Sequence, residues 1–362
     1  MLKTTPLHPE HQRLGARLIE FGGWDMPVQY SSILDEHQAV RTSIGAFDIS
    51  HMGQFSVSGP KATAWLNRVL TNNVERLQPG TGQYTFLLNA SGGVIDDLII
   101  YCLAENRYWL VVNASKIEED YEWMSRHLDE GVEFTNESGD HAGIAVQGPK
   151  SSQLFEAFFG GRYSRPSHNE ILVIEIDGYK YFIARTGYTG EDGFEVFCPA
   201  GRAVKSWNDI LARGAQFGIK PCGLGSRDTL RLEMCYPLNG SDLSPTRTPL
   251  EAGLSIFVDL NKGDFIGREA LQEQKAAGIP TRLVPFKMKD KSPPPRSHYG
   301  VWKDGVQIGE VSSGTQSPSL GTGIGMAYIP ASHAKLGEEI EIDIRGRRFP
   351  AIIERKPLYK KS

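Results

Sequence analysis

An α+β fold with an all-β C-terminal domain is what this sequence predicts, and three observations predict it. From residue 54 to about 275, short strand-like apolar runs alternate with stretches whose apolar residues recur at helical spacing. Past a polar, proline-rich stretch near 275–295, strand-like runs follow one another with Gly, Ser and Pro between them, the grammar of a small antiparallel barrel or sandwich. The 362-residue length suits two or three ordinary domains with a large buried core.

The elements follow in order. Ser32 to Arg41 reads as a helix with Ser32 as N-cap and an acid in its first turn. It is flanked by two turn-rich aromatic segments, FGGWDMP and FDISHMG. QFSVSG, Tyr84–Leu88, Val94–Leu103 and Tyr108–Val112 read as strands, and Lys61–Leu70 and Ser115–Leu128 as helices. A second passage of the same grammar then begins, which we read as a pseudo-repeat of the first. It has a strand at Gly143–Val146, a helix at Ser151–Phe159 and a hairpin of Ile171–Ile176 with Tyr179–Ala184, turning at Asp177-Gly178. A strand at Phe194–Phe197 and a helix at Ala203–Arg213 complete it. In the tail, Val301-Trp302, Gly309–Val311, Ile324–Tyr328 and Ile340–Ile344 read as barrel strands.

Composition excludes several classes. With 39 basic against 43 acidic residues the net charge is −4, which argues against a nucleic-acid partner. The four widely spaced cysteines form no C-x-x-C pair and read as free thiols in a reducing compartment. The first residues lack the apolar core of a signal peptide, and no apolar run reaches the ~18 residues of a membrane span. The expectation is a soluble, cytoplasmic protein. Neither G-x-S-x-G nor H-E-x-x-H occurs, which disfavours serine-hydrolase and zinc-protease chemistry.

Four segments carry candidate chemistry. Asp96-Asp97 open a buried strand, where alternation sends one carboxylate inward and one outward. A turn Asp beside a satisfied neighbour is the plainer reading, and a positioned acid–base carboxylate the sharper one. The run RTGYTGEDGFE, Arg185 to Glu195, has glycines enough for close backbone approach to a ligand and lies between two strands. Tyr188 and Glu195 are its candidates, since a carboxylate can accept two parallel hydrogen bonds from a 2-amino-4-oxo-pyrimidine edge. Pro221 to Glu233 opens a helix with Ser226 as N-cap; Arg227 at its mouth suits either a ligand carboxylate or a surface ion pair. Tyr236 follows on the core or ligand side. His51 in SHMG is a lone histidine and reads as structural.

Taken together, FGGWDMPVQYSSI, AVRTSIGAFDISHMG, GGVIDDLIIY, VVNASKIEEDY, AVQGPK, RTGYTGEDGFE, PCGLGSRDTLRLE, TPLEAGL and SSGTQSPSLGTGIGMAYI resemble the aminomethyltransferase, or T-protein, family of the glycine cleavage system over nearly the whole chain. The resemblance implies a three-domain, cloverleaf-like arrangement around a central folate channel. Residues 1–275 would be the folate-binding region, with about 54–135 inserted within 1–53 plus 136–275, and residues 283–362 the C-terminal barrel. It implies transfer of a methylene carbon from the aminomethyl-dihydrolipoyl arm of H-protein to tetrahydrofolate, with release of ammonia and formation of 5,10-methylenetetrahydrofolate, and no metal. By match to the family's motifs, Asp97 is the catalytic carboxylate, and Tyr188 and Glu195 hold the pterin. Met52, Tyr84, Tyr101 and Asn113 line the folate pocket, while Arg227 and Tyr236 lie near the rest of the folate. One departure is Arg296-Ser297-His298-Tyr299-Gly300-Val301, where relatives read R-x-G-Y-E-V, so contacts from that strand are not carried over. No tail arginine is assigned after Tyr359. The cations Arg296, Lys303, Arg345, Arg347 and Arg348 read as a solvated face. Two rivals share the fold: a folate-dependent demethylase, and a non-catalytic folate-binding accessory protein of the kind that assists iron–sulfur assembly. The latter is set apart by K-G-C-Y-x-G-Q-E where this chain has RLEMCYPL. We expect a monomer that meets its carrier transiently.

Overall fold

A computed structural model describes residues 1–361. The chain divides into two compact units, residues 1–85 with 97–227, and residues 86–96 with 228–362.

The first unit opens with α1 (His8–Arg13) and a hairpin of β1 (Arg17–Phe21) and β2 (Trp24–Gln29). The FGGW segment, expected only as turns, supplies that hairpin: Gly22 and Gly23 take φ of 58° and 87°, a tight reversal that glycine adopts without strain. Next come α2 (Ile33–Thr42), β3 (Ile44–Asp48), β4 (Gly53–Ser58), α3 (Ala62–Val69), β5 (Gly82–Leu88), β6 (Val94–Ala104) and β7 (Arg107–Val112). Ser32 caps α2 as expected, its Oγ accepting the Asp35 N–H at 3.1 Å. Then follow α4 (Ile117–Arg126), β8 (Glu133–Asn136), β9 (His141–Gln147), α5 (Ser151–Phe159), β10 (Ile171–Ile176), β11 (Tyr179–Ala184), β12 (Gly193–Pro199), α6 (Ala203–Gly214) and β13 (Ile219–Cys222). Helix α4 is shorter than its apolar period suggests, because Asn113 to Lys116 close a turn first.

Two sheets result. One has the order β5-β6-β7-β4-β8; the other is β10-β11-β12-β9-β3-β13, antiparallel except for the parallel β3–β13 pair. They meet through Trp109 of β7, which stacks on Phe182 of β11 with ring centroids 4.6 Å apart and meets Phe197 of β12 edge-on at 4.8 Å. Behind the six-stranded sheet, Leu154, Phe155, Trp207 and Ile210 of α5 and α6 pack on Ile144, Val146, Ile183 and Phe194.

The unit is tied together through buried carboxylates. Glu36 of α2 accepts the N–H groups of Tyr30 at 2.6 Å and Ser31 at 3.1 Å on one oxygen, and of Gly223 at 2.8 Å on the other. Asp48 accepts from Thr5, from the Ser50 N–H and from the ring of His11, whose other nitrogen meets Tyr30. Burial pushes Asp48 up, but these partners more than offset it and leave its pKa below the ordinary value.

Helix α7 (Leu224–Glu233) starts two residues before the Ser226 start expected from sequence. Ser226 is no N-cap; its hydroxyl donates back to Gly223 O at 2.9 Å. The helix starts early because the Gly223 N–H is already satisfied by Glu36.

The second unit contains α8 (Arg268–Ala277) and a closed barrel of β14 (Thr281–Met288), β15 (Gly300–Lys303), β16 (Val306–Gln316), β17 (Gly323–Pro330), β18 (Glu339–Ile344) and β19 (Arg347–Ile353), in the order β14-β17-β16-β15-β18-β19. Strand β14 lies inside the stretch near 275–295 that reads as a boundary, and β19 falls where the sequence reading places no strand. Between the inward residues β14 places Leu283 and Pro285, both buried, and β19 places Arg348, Pro350 and Ile352, so neither strand shows a clean apolar–polar alternation. Residues 284, 286 and 288, 340, 342 and 344, and 351 and 353 all point into the barrel core, the period of two that a filled barrel requires. The departing segment forms a turn ahead of β15, with His298 at φ 70° and its Nδ1 2.8 Å from Glu310 Oε1. Of the basic group, Arg348 lies over the Trp302 ring at 3.7 Å and Arg347 over Phe349 at 5.0 Å.

Arg231 and Asp242, 3% and 1% exposed, form a buried ion pair at 2.9 Å in this unit. Arg231 also donates to Tyr236 O and Ser313 Oγ, and Asp242 accepts from the Leu238 N–H and from the Ser312 and Ser313 hydroxyls. Replacing Asp242 by Ala strands the guanidinium and is expected to cost about 3–5 kcal/mol. Urea titration should then show a lower midpoint with an unchanged slope.

Candidate functional site

Asp96 and Asp97 take opposite faces of β6, as alternation requires: Asp96 is fully buried and Asp97 half-buried. Tyr84 and Asn113 converge on Asp97. The Tyr84 hydroxyl donates to Oδ2 at 2.8 Å, and Asn113 Nδ2 donates to Oδ1 at 3.1 Å and to the Asp97 carbonyl at 2.9 Å. Each carboxylate oxygen therefore has a fixed donor, which locks the side-chain rotamer. Asn113 reaches back to Asp97 because it sits in the turn ahead of α4.

Tyr101 shares the Asp97 face of β6, four residues on. It is buried beside its cross-strand partner Trp109, and its hydroxyl lies 3.0 Å from Thr186 Oγ1. Thr186 Oγ1 in turn donates to Glu195 Oε2 at 2.6 Å. Burial, reinforced by the Glu195 charge, holds the Tyr101 phenol far above its ordinary value, so it stays neutral. Glu195 is 7% exposed, and burial raises its pKa although Thr186 and the charge of Arg227 pull the other way. The Arg227 guanidinium lies over the Tyr188 ring, 4.9 Å from its centroid.

Met52 is half-buried, its N–H donating to Ile49 O at 3.1 Å. Its neighbour His51 is buried, and its Nδ1 has no hydrogen-bond partner among the described residues, unlike the satisfied structural histidine expected. Burial pushes the His51 imidazole down to about 4, Asp48 opposing and Arg227 adding to the shift. Tyr236 belongs to the second unit, where its N–H donates to Arg231 O. The structure thus joins Tyr84, Asp97 and Asn113 in one hydrogen-bonded group, links Tyr101 to Glu195 through Thr186, and pairs Tyr188 with Arg227. Among the described residues no group of three or more His, Cys, Asp or Glu is arranged to hold a metal ion.

Three residues that sequence reading passes over hold the Arg185–Glu195 loop. Buried Gln147 donates from Nε2 to Thr186 O at 3.0 Å and accepts from the Thr189 hydroxyl at 3.0 Å. A Cβ on Gly187 would lie 1.9 Å from Gln147 Oε1, so that position needs glycine to let the amide in. Arg41 donates to Thr189 O and to Glu191, both at 2.8 Å. Thr186 is the third. Arg185 closes the loop's base on Asp192 through two bonds of 2.9 and 3.0 Å. A glutamine in AVQGPK and an arginine in AVRTS carry no local signal for such roles; only the fold brings them to the loop.

Known proteins resemble this chain over its whole length. The family profile of the GCVT N-terminal domain matches residues 7–262, and that of the glycine cleavage T-protein C-terminal barrel domain matches residues 281–360. The chain belongs to the glycine cleavage T-protein family. It is 47% identical over 365 residues to an aminomethyltransferase of Geobacillus thermodenitrificans, with all of both chains covered. It is 45% identical over 364 residues to one of Anoxybacillus flavithermus, again covering 100% of both chains. The crystal structure of glycine cleavage system aminomethyltransferase T from Bartonella henselae matches with a TM-score of 0.92 at 32% identity, over 99% of this chain and 98% of that one. The α+β reading with a C-terminal antiparallel barrel is borne out.

In a T-protein family member built this way, Glu195 is a buried acid with an uncompensated cost. Its raised pKa means that its contribution to stability is complete below about pH 4.5 and is lost as pH rises through the folded-state value. The variant Glu195→Gln is expected to resist urea better than wild type at about pH 8. That difference should vanish below about pH 4.5, as read by denaturation midpoints across the range.

Proposed function

We infer that this protein is the aminomethyltransferase of a glycine cleavage system, using tetrahydrofolate as acceptor and lipoylated H-protein as donor in the cytoplasm. The observation that carries the reading is the fixed carboxylate of Asp97, held by Tyr84 and Asn113 on the same face of β6 that reaches Glu195 through Tyr101 and Thr186.

The reaction converts the aminomethyl thioether, –S–CH2–NH2, and the two N–H groups of tetrahydrofolate into a free thiol, ammonia and the N5–CH2–N10 bridge. The carbon leaves sulfur and bonds to both folate nitrogens; one folate proton ends on sulfur and the other on the departing amine. In this reading Asp97 orients the N-10 nitrogen, accepts its proton and offsets the positive charge of the iminium-like carbon. Its two fixed donors keep it aimed there, so that positioning supplies part of the acceleration. Ionised Glu195 accepts the two parallel donors of the pterin's 2-amino-4-oxo edge, and this restores the hydrogen bonds that burial denies it. Tyr188 offers its ring to the pterin and Arg227 a charge to the rest of the folate, for which Tyr236 is a further candidate. Met52, Tyr84, Tyr101 and Asn113 complete the pocket. The domain division after residue 275 remains part of this reading.

The deciding assay follows 5,10-methylenetetrahydrofolate formed from aminomethyl-loaded H-protein. Asp97→Asn is expected to lower kcat by about 10²–10⁴-fold while folding and tetrahydrofolate binding persist. Full activity in that variant would refute the acid–base role, and no product from wild type would refute the function. Glu195→Gln is expected to weaken tetrahydrofolate binding by about 1.5–3 kcal/mol, measured by calorimetry.

A further inference from the structure

On the other side of the six-stranded sheet lies a cavity of about 380 Å³ that shares no residue with the Asp97–Glu195 group. Strand alternation separates the two: Glu195 faces the five-stranded sheet, and its neighbours Phe194 and Val196 face α5 and α6. The volume is that of an ordinary small-molecule pocket. Its walls are apolar, formed chiefly by Leu154, Phe155 and Phe158 of α5, Ile210 of α6 and Ile183 and Phe194 of the sheet.

Its charged groups are mostly of one sign. Arg162, Arg202, Lys205 and Arg213 line it against only Asp177 and Asp209. Arg202 pairs with Asp177 at 2.9 Å and Lys205 pairs with Asp209. Arg213 spends one N–H on Ala157 O at 3.1 Å and lies over the Phe158 ring, and neither it nor Arg162 has a carboxylate within ion-pair distance among the described residues. Two positive charges are therefore in excess at the mouth.

We propose that this cavity is a second, non-catalytic binding site for a small amphiphilic carboxylate, its apolar body between α5 and α6 and its head group at Arg162 and Arg213. Burial of an apolar tail supplies affinity, and the unpaired guanidinium groups select the anion.

Decanoate is the probe, titrated by calorimetry into the full chain, with decanol and decylammonium as head-group controls. One decanoate is expected per chain, with affinity at least about tenfold above either control. The double variant Arg162→Gln with Arg213→Gln, both on the surface, should weaken decanoate about tenfold and leave decanol unchanged. Val196→Trp fills the cavity and should abolish binding; if it fails to fold, the charge variant and the controls decide. Absence of saturable heat with decanoate, equal affinity for decylammonium, or an unaltered affinity in the double variant would each overturn the proposal. None of these outcomes bears on Asp97, because tetrahydrofolate binding is measured separately in the same samples.

Discussion

A carboxylate taken out of water must find its hydrogen bonds inside the protein, and that constraint organises this molecule. Left without partners, such a group costs several kcal/mol, a large share of any domain's net stability. Glu36 meets the demand by collecting backbone N–H groups from the end of β2 and the start of α7, and so joins three elements. Asp48 meets it through Thr5, His11 and Ser50, which fastens the N-terminal helix to β3. Asp242 does the same in the second unit with Arg231 and two serines. Burial raises the pKa of Glu36 despite its several donors, and raises that of Glu195, whose one hydrogen-bond donor among the described residues is Thr186. A buried acid with a single donor is where a ligand with donors to offer gains most.

The loop that presents Glu195 is long and glycine-rich, which alone would make it mobile. It is instead held from three sides, by Gln147 beneath it, Arg41 at its tip and the Arg185–Asp192 fork at its base. The glycines here allow neighbouring groups to come close. Rigidity of this kind matters because carbon transfer depends on small distances between the reacting atoms.

Much of this was legible from residues. The Ser32 cap, the opposite faces of Asp96 and Asp97, the Asp177-Gly178 hairpin and the alternation of the barrel strands all express local rules of period and turn chemistry. The residues grouped at the site were named by resemblance, and spacing alone left Asp97 ambiguous between a turn acid and a working one. What escaped was non-local. Gln147, Thr186 and Arg41 are ordinary residues until tertiary structure brings them to the loop. Ser226 reads like a cap, since nothing nearby announces that Glu36, 187 positions before Gly223, already serves the helix start. Strands β14 and β19 lack a clean alternation because apolar residues and prolines fall on both of their faces.

The barrel has a consequence for how the protein is made. Its first strand, β14, closes the ring by pairing with the last, Phe286 opposite Ile353. The Leu358 and Tyr359 N–H groups then bond Glu233 O of α7. While the chain is still emerging from the ribosome, β14 therefore waits with an unpaired edge until some sixty-seven further residues have followed. Until residue 353 has been made, that open edge is a template on which a strand of another copy could pair.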